Sequence, residues 1–238
     1  MLQQMIKMLF PLHLMQNIMF CPKYSVKGNY VTPLSHVSTF IGFFGTIFFV
    51  GLFMGRIYLD KYNSSYTGYI YFTSCYDATH YCIGFIMNFT IGIVYTKKYI
   101  TFILTIQSVH RILNDESCFK KIIIWNWITV LIACGFYIIL FTYFAVQQNL
   151  PFISFLCCYI LVNFDLNVVY AIRFLKLLEQ KVVLWNMKAF NYNGTEETQR
   201  EEDCKKLFQL FVDIMKCYDI YKRCYQWLVS VIKVSFTT

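Results

Sequence analysis

The chain has 238 residues, of which 58% are hydrophobic, 20% aromatic and only 14% charged, with a formal net charge of +8. Soluble domains are about a quarter charged residues and under half apolar, so a mean hydropathy of +0.49 sets a water-soluble enzyme aside. The 24 Phe and 19 Tyr likewise exclude a disordered chain, which is poor in aromatics, and a membrane protein is the class that remains.

Residues Met1 to Phe10 are apolar, but Lys7 is their only cation and no small-residue cleavage site follows. The start therefore reads as an uncleaved N-terminus and not as a signal peptide. Pro11 and Pro22 are expected to break it into pieces shorter than a span, with an apolar face on the bilayer or on other helices. Residues 1–33 are thus an N-terminal cytosolic segment. A helical span needs about 20 predominantly apolar residues, and residues 34–59, 69–95, 122–146 and 151–175 qualify.

Residues 176–226 read as a cytosolic helical segment with an acidic loop from Asn191 to Asp203. From Leu207 the apolar residues recur at Leu210, Phe211, Ile214, Met215, Tyr218, Tyr221, Tyr225 and Leu228, the spacing of an amphipathic helix. Such a helix lies on the membrane or packs in a cytosolic bundle between subunits. Residues 227–238 open a fifth span; from Trp227 to Thr238 the reach is about 18 Å, short of a core about 30 Å thick, and the fifth span is read as cut. The predicted fold is all-α, a polytopic transmembrane helical bundle of four full spans and a partial fifth.

Cation placement orients it. Lys7, Lys23 and Lys27 precede the first span, five cations lie between spans two and three, and ten fall between Arg173 and Arg223; the opposite side holds only Arg56 and Lys61. The N-terminus is inside. These cations are juxtamembrane clusters suited to anionic lipid, so no nucleic-acid partner is expected. Neither outer loop contains any of the ten Cys, and no Cys pair has zinc spacing with a nearby His, so neither a disulfide framework, a metal site nor a cofactor is expected. Cys118, beside Lys120 and Lys121, is a weak acylation candidate. Of the glycosylation sequons, Asn63 lies in the first outer loop, Asn193 in the inner segment, and Asn88 within the second span.

Several stretches together resemble the insect seven-transmembrane chemoreceptors, and within them the gustatory receptors. Phe10-Pro11-Leu12 followed by Phe20-Cys21-Pro22 is similar to the family's paired-proline entry to the first span, with Met19 where Gly is usual. Lys97-Lys98-Tyr99 through Ile112-Leu113 resembles the amphipathic connector after span two. Ile172-Arg173-Phe174-Leu175-Lys176-Leu177-Leu178 resembles the stretch after span four, with Leu178 where Asn is common, and Phe211-Val212-Asp213 through Gln226-Trp227-Leu228 resembles the helix leading into span five. The resemblance covers most of the chain. It implies a multi-pass cell-membrane protein, a homo- or hetero-oligomeric (tetrameric) ligand-gated cation channel opened by small-molecule tastants. The implied pore lies in a seventh span, which is absent from this sequence.

Ionisable residues within spans usually face a bundle interior. Asp77 and His80 share one face of the second span, with Tyr76 adjacent; Tyr137 and Tyr159 reach comparable depths on spans three and four; Asp165 lies deep in span four between Asn163 and Asn167. The expected site is a pocket in the outer half with Asp77 and His80 as polar anchors and Tyr76, Tyr137 and Tyr159 as walls. Its alternative is an interhelical polar contact that holds the bundle, worth about 0.6 kcal/mol. Asp165 either pairs with a cation or stays protonated. A G-protein-coupled receptor needs the opposite orientation, and no Asp-Arg-Tyr-like triplet ends span three. No enzyme motif is present, and a transporter fragment remains a further alternative.

Overall fold

The computed structural model describes residues 2–28, 30–62, 68–113, 116–148, 152–190 and 197–237. They form α1 (Leu2–Ile18), a hairpin of β1 (Ser25–Lys27) and β2 (Tyr30–Thr32), α2 (His36–Tyr62), α3 (Gly68–Val94), α4 (Thr96–Leu113), α5 (Glu116–Gln148), α6 (Phe152–Phe190) and α7 (Glu197–Thr237). The fold is all-helical apart from the hairpin, whose strands pair antiparallel with Lys27 opposite Tyr30. Gly28 there takes a φ of 59°, the sense that a two-residue hairpin turn requires.

Two described helices are long and apolar enough to cross a membrane, His36–Leu59 in α2 and Lys120–Tyr143 in α5. A third qualifies if α3 and α4, bent by 59° at their junction, count as one span. Each single span buries only 17% of its most apolar window inside the chain, leaving residues such as Phe40, Phe44, Ile128 and Leu131 exposed. Contiguous apolar surface of that extent suits a bilayer and not water. The predicted spans 34–59 and 69–95 fall on α2 and α3, 122–146 within α5, and 151–175 on the first part of α6, where many side chains lie outside the described set. At the α3–α4 junction the Thr96 hydroxyl donates to the Gly92 carbonyl at 2.6 Å.

The expected break at Pro11 is corrected by the structure, because Pro11 lies inside α1. A buried face of Met5, Met8, Leu12, Met15 and Met19 packs α1 mainly against α5 and α6. That packing outweighs the missing N–H of one proline. The helix ends at Phe20, whose φ is 56°. The Phe20 N–H donates to the Asn17 carbonyl at 3.1 Å and the Cys21 N–H to the Gln16 carbonyl at 3.0 Å, the paired bonds of a Schellman cap with Phe where Gly is usual. The side chain explains the choice. Gly42 and Gly45 of α2 lie so close to Phe20 that an added Cβ would meet the Phe20 carbonyl at 3.3 Å and its Cβ at 3.2 Å respectively, and the Phe20 ring contacts Phe49 at 6.2 Å.

Beyond the spans, α4, α6 and α7 pack on one another as a stem. Its inner contacts are Val109, Leu210 and Ile214, with Leu113 and Trp185 against them. Polar bonds tie it: Trp185 Nε1 donates to the Leu207 carbonyl at 2.9 Å, Lys188 Nζ to the Ile112 carbonyl at 3.0 Å, and Lys181 Nζ lies 3.0 Å from His110 Nδ1. The acidic loop is shorter than its predicted 191–203. α7 begins at Glu197, where acidic side chains favour the helix N-terminus, and Glu201 and Lys205 pair one turn on at 2.7 Å. The predicted apolar face of α7 is also rotated: Leu210, Ile214, Cys217, Cys224 and Tyr225 are buried, while Phe211, Met215 and Tyr218 are exposed.

Candidate functional site

The expected intramembrane residues fall into two groups. On α3, which packs on α2, the Tyr76 and His80 rings lie 6.3 Å apart and nearly parallel, with Tyr81 edge-on to His80. The side chain of Asp77 lies outside the described set, as do those of Tyr159 and Asn163, and Asn63 lies outside the described residues. The second group joins α5 to α6: the Tyr137 hydroxyl donates to the Asp165 carboxylate. Asp165 is exposed and Asn167 buried. Phe136 and Phe141 stand 5.4 Å and 5.8 Å from the Tyr137 ring, so the phenol that donates to the carboxylate is itself packed beside aromatic rings. Of the expected pocket, the structure joins Tyr76 to His80 and gives Tyr137 a partner, Asp165, which the sequence reading had kept apart from it.

A third group was not expected. The 22–24 turn after the α1 cap carries Lys23 into the interior, where it is 4% exposed. Its Nζ lies 5.1 Å from the ring centroid of Tyr99 on α4, 4.8 Å from that of Tyr170 on α6 and 4.6 Å from that of Tyr225 on α7, all within cation–π range. Burial lowers the Lys23 amine from its ordinary value to about 7 against a smaller opposing pull from Cys224 and Cys21. No carboxylate is there to offset the loss of water. The Cys224 thiol is itself pushed up to about 11 by burial, despite Lys23 and Lys98 nearby, and burial raises Tyr24 as well. The hydroxyls of Tyr24, Tyr99, Tyr170 and Tyr225 are buried without a partner of good hydrogen-bond geometry among the described residues, although Tyr24 approaches Tyr170 and Tyr99 approaches Tyr225. Tyr24 stacks on His13 of α1 at 4.7 Å.

Two small cavities flank this dipeptide. Lys23 joins Ser38, Thr39, Gly42 and Asn88 around a space of about 20 Å³, the scale of a water molecule; His13 and Tyr24 border a second of about 10 Å³. A fourth polar element braces the bundle. Asn126 of α5, 2% exposed, donates from Nδ2 to the Met8 carbonyl at 2.8 Å and accepts from Arg173 Nε at 2.7 Å.

Sequence reasoning counted Lys23 and Arg173 only as inner-side cations. Nothing local could have revealed the cage, because its three rings come from 76 to 202 residues further along the chain. Among the described residues no three His, Cys, Asp or Glu side chains gather to hold a metal ion. No family model, no curated protein and no solved structure matches this chain.

Proposed function

We propose that this chain is a chemoreceptor subunit of the gustatory type, a multi-pass protein of the cell membrane that senses small-molecule tastants as part of an oligomeric, ligand-gated cation channel. In this reading α3 and the first part of α6 join α2 and α5 as four spans, the N-terminus is cytosolic, and the α4/α6/α7 stem stands in the cytosol. The Tyr137–Asp165 pair is the observation that carries it. A carboxylate at span depth is costly unless it serves a bundle interior or a ligand. Here it is exposed and held by one phenol, whose own ring contacts Phe136 and Phe141; few fixed polar groups in apolar surroundings are typical of small-molecule sites. Its free acceptor capacity suits a ligand with hydroxyl or ammonium donors.

Orientation tests the reading most directly. In microsomes, Asn193 should stay unglycosylated, removal of Asn63 should abolish any shift seen, and a tag at the N-terminus should be digested by added protease. A glycosylated Asn193 with a protected N-terminus would invert the chain, overturn the reading and favour a G-protein-coupled receptor. Thermal shifts of the purified chain with sucrose, caffeine and denatonium test the site: stabilisation by any of the three should be lost in Asp165→Asn and weakened in Tyr137→Phe.

A further inference from the structure

The Lys23 cage is a costly arrangement, and its surroundings show what it can do. From α4 it faces Tyr99, with Lys98 near the shared Cys224; from α6, Tyr170; from α7, Tyr225 and Cys224; from its own turn, Cys21 and Tyr24, with His13 of α1 behind Tyr24. None of these groups is a carboxylate. The ammonium is attracted by ring faces and, more weakly, by the Cys224 and Cys21 sulfurs, while burial holds the Cys224 thiol and the Tyr24, Tyr99 and Tyr225 phenols in their protonated forms. A neutral amine is therefore at ease in the cage, whereas a protonated one recovers its hydration by leaving it. The turn that carries it is already held in an uncommon backbone conformation by Phe20, with a φ of 56°, and water-sized spaces adjoin it on both sides.

We propose that Lys23 is a proton-operated latch: uncharged, it seats residues 19–28 against the α4/α6/α7 core, and on protonation it withdraws to water or lipid headgroups and takes that turn with it. The direction follows from linkage. The amine in the cage titrates lower than the ordinary value of 10.5 that it regains in water, so the seated form gains ground as pH rises between the two values, by at most tenfold per pH unit. The ring faces favour the ammonium and move the seated midpoint upward, which narrows the window.

Hydrogen exchange of the full chain in lipid nanodiscs, corrected for the intrinsic rate at each pH, reads the seated fraction. Protection of amides 19–28 should rise about tenfold or more between pH 7 and pH 9, while amides 207–220 of α7 stay unchanged. Lys23→Met, neutral and of similar length, should remove the rise. Lys23→Arg, charged throughout, should leave the turn unprotected at both values. A flat profile in the wild-type chain overturns the proposal even if neither variant folds. It is equally overturned by a rise shared with α7, which reports global stability, or by a rise that persists in Lys23→Met, which reports another group such as His13.

Discussion

Replacing Asn126 by Leu removes a side chain that links α5 to both α1 and α6 by hydrogen bonds. Two bonds are lost: Nδ2 to the Met8 carbonyl at 2.8 Å and Arg173 Nε to Oδ1 at 2.7 Å. A neutral bond contributes about 0.5–1.5 kcal/mol and one to a charged group about 1.5–3 kcal/mol. Interhelical bonds within bilayers average only about 0.6 kcal/mol, because the separated helices find other partners. The charge on Arg173 and the 2% exposure of Asn126 argue for more than that average; the partial exposure of Arg173, which lets water take over, argues against the full sum. The expected cost is about 2–3 kcal/mol, read from thermal or denaturant unfolding in detergent. Asn126→Asp should cost less, since it keeps an acceptor for Arg173 and loses only the donor to Met8. A double-mutant cycle with Arg173→Met isolates the charged bond and should give a coupling of about 1.5 kcal/mol or more. A coupling within about 0.5 kcal/mol of zero would refute the assignment of Asn126 as a brace.

Gly42→Leu should destabilise by about 1–3 kcal/mol, because its Cβ would already sit 3.2 Å from the Phe89 ring and 3.3 Å from the Phe20 carbonyl; a melting curve in detergent checks it. Ile214→Ala empties a 2% exposed position of the stem and should cost about 2–5 kcal/mol. Its hydrogen-exchange losses should concentrate in α4, the end of α6 and α7, leaving α2 protected.

The helices were legible where composition decides them. Long apolar runs placed α2, α3 and α5 within a few residues, and apolar positions at helical spacing anticipated α7 as a helix, whereas α4 entered only as the amphipathic connector that the family resemblance implied. The face of α7 was less legible. Counting Phe211, Met215 and Tyr218 as core chose the larger side chains, whereas the buried stripe runs Leu210, Ile214, Cys217, Tyr221 and Cys224, steps of four and three that suit close packing against two neighbours. Cysteine had been read as a small buried or reduced thiol, but Cys217 and Cys224 were not counted in the apolar periodicity of α7, where they pack as small hydrophobes. Proline misled at Pro11 because a local breaker was weighed without the methionine face that holds α1 in place. At the candidate site, Asp77 and His80 were placed on one face from their spacing of three, with Tyr76 only as a neighbour, and the Tyr137–Asp165 and Lys23 contacts join residues distant in sequence, for which a single chain offers no signal.

The origin of the Lys23 cage also sets an order of events during synthesis. Lys23 leaves the ribosome early, yet the Tyr225 ring that closes its cage is made 202 residues later, an interval of about 10–40 s at usual elongation rates of roughly 5–20 residues per second. For that time Lys23 has no Tyr225 to complete its cage, and until α5 and α6 are made the methionine face of α1 has nothing to dock on; the surface of the bilayer is the nearest place for both. Residues 2–28 are thus made well before the helices that fix them.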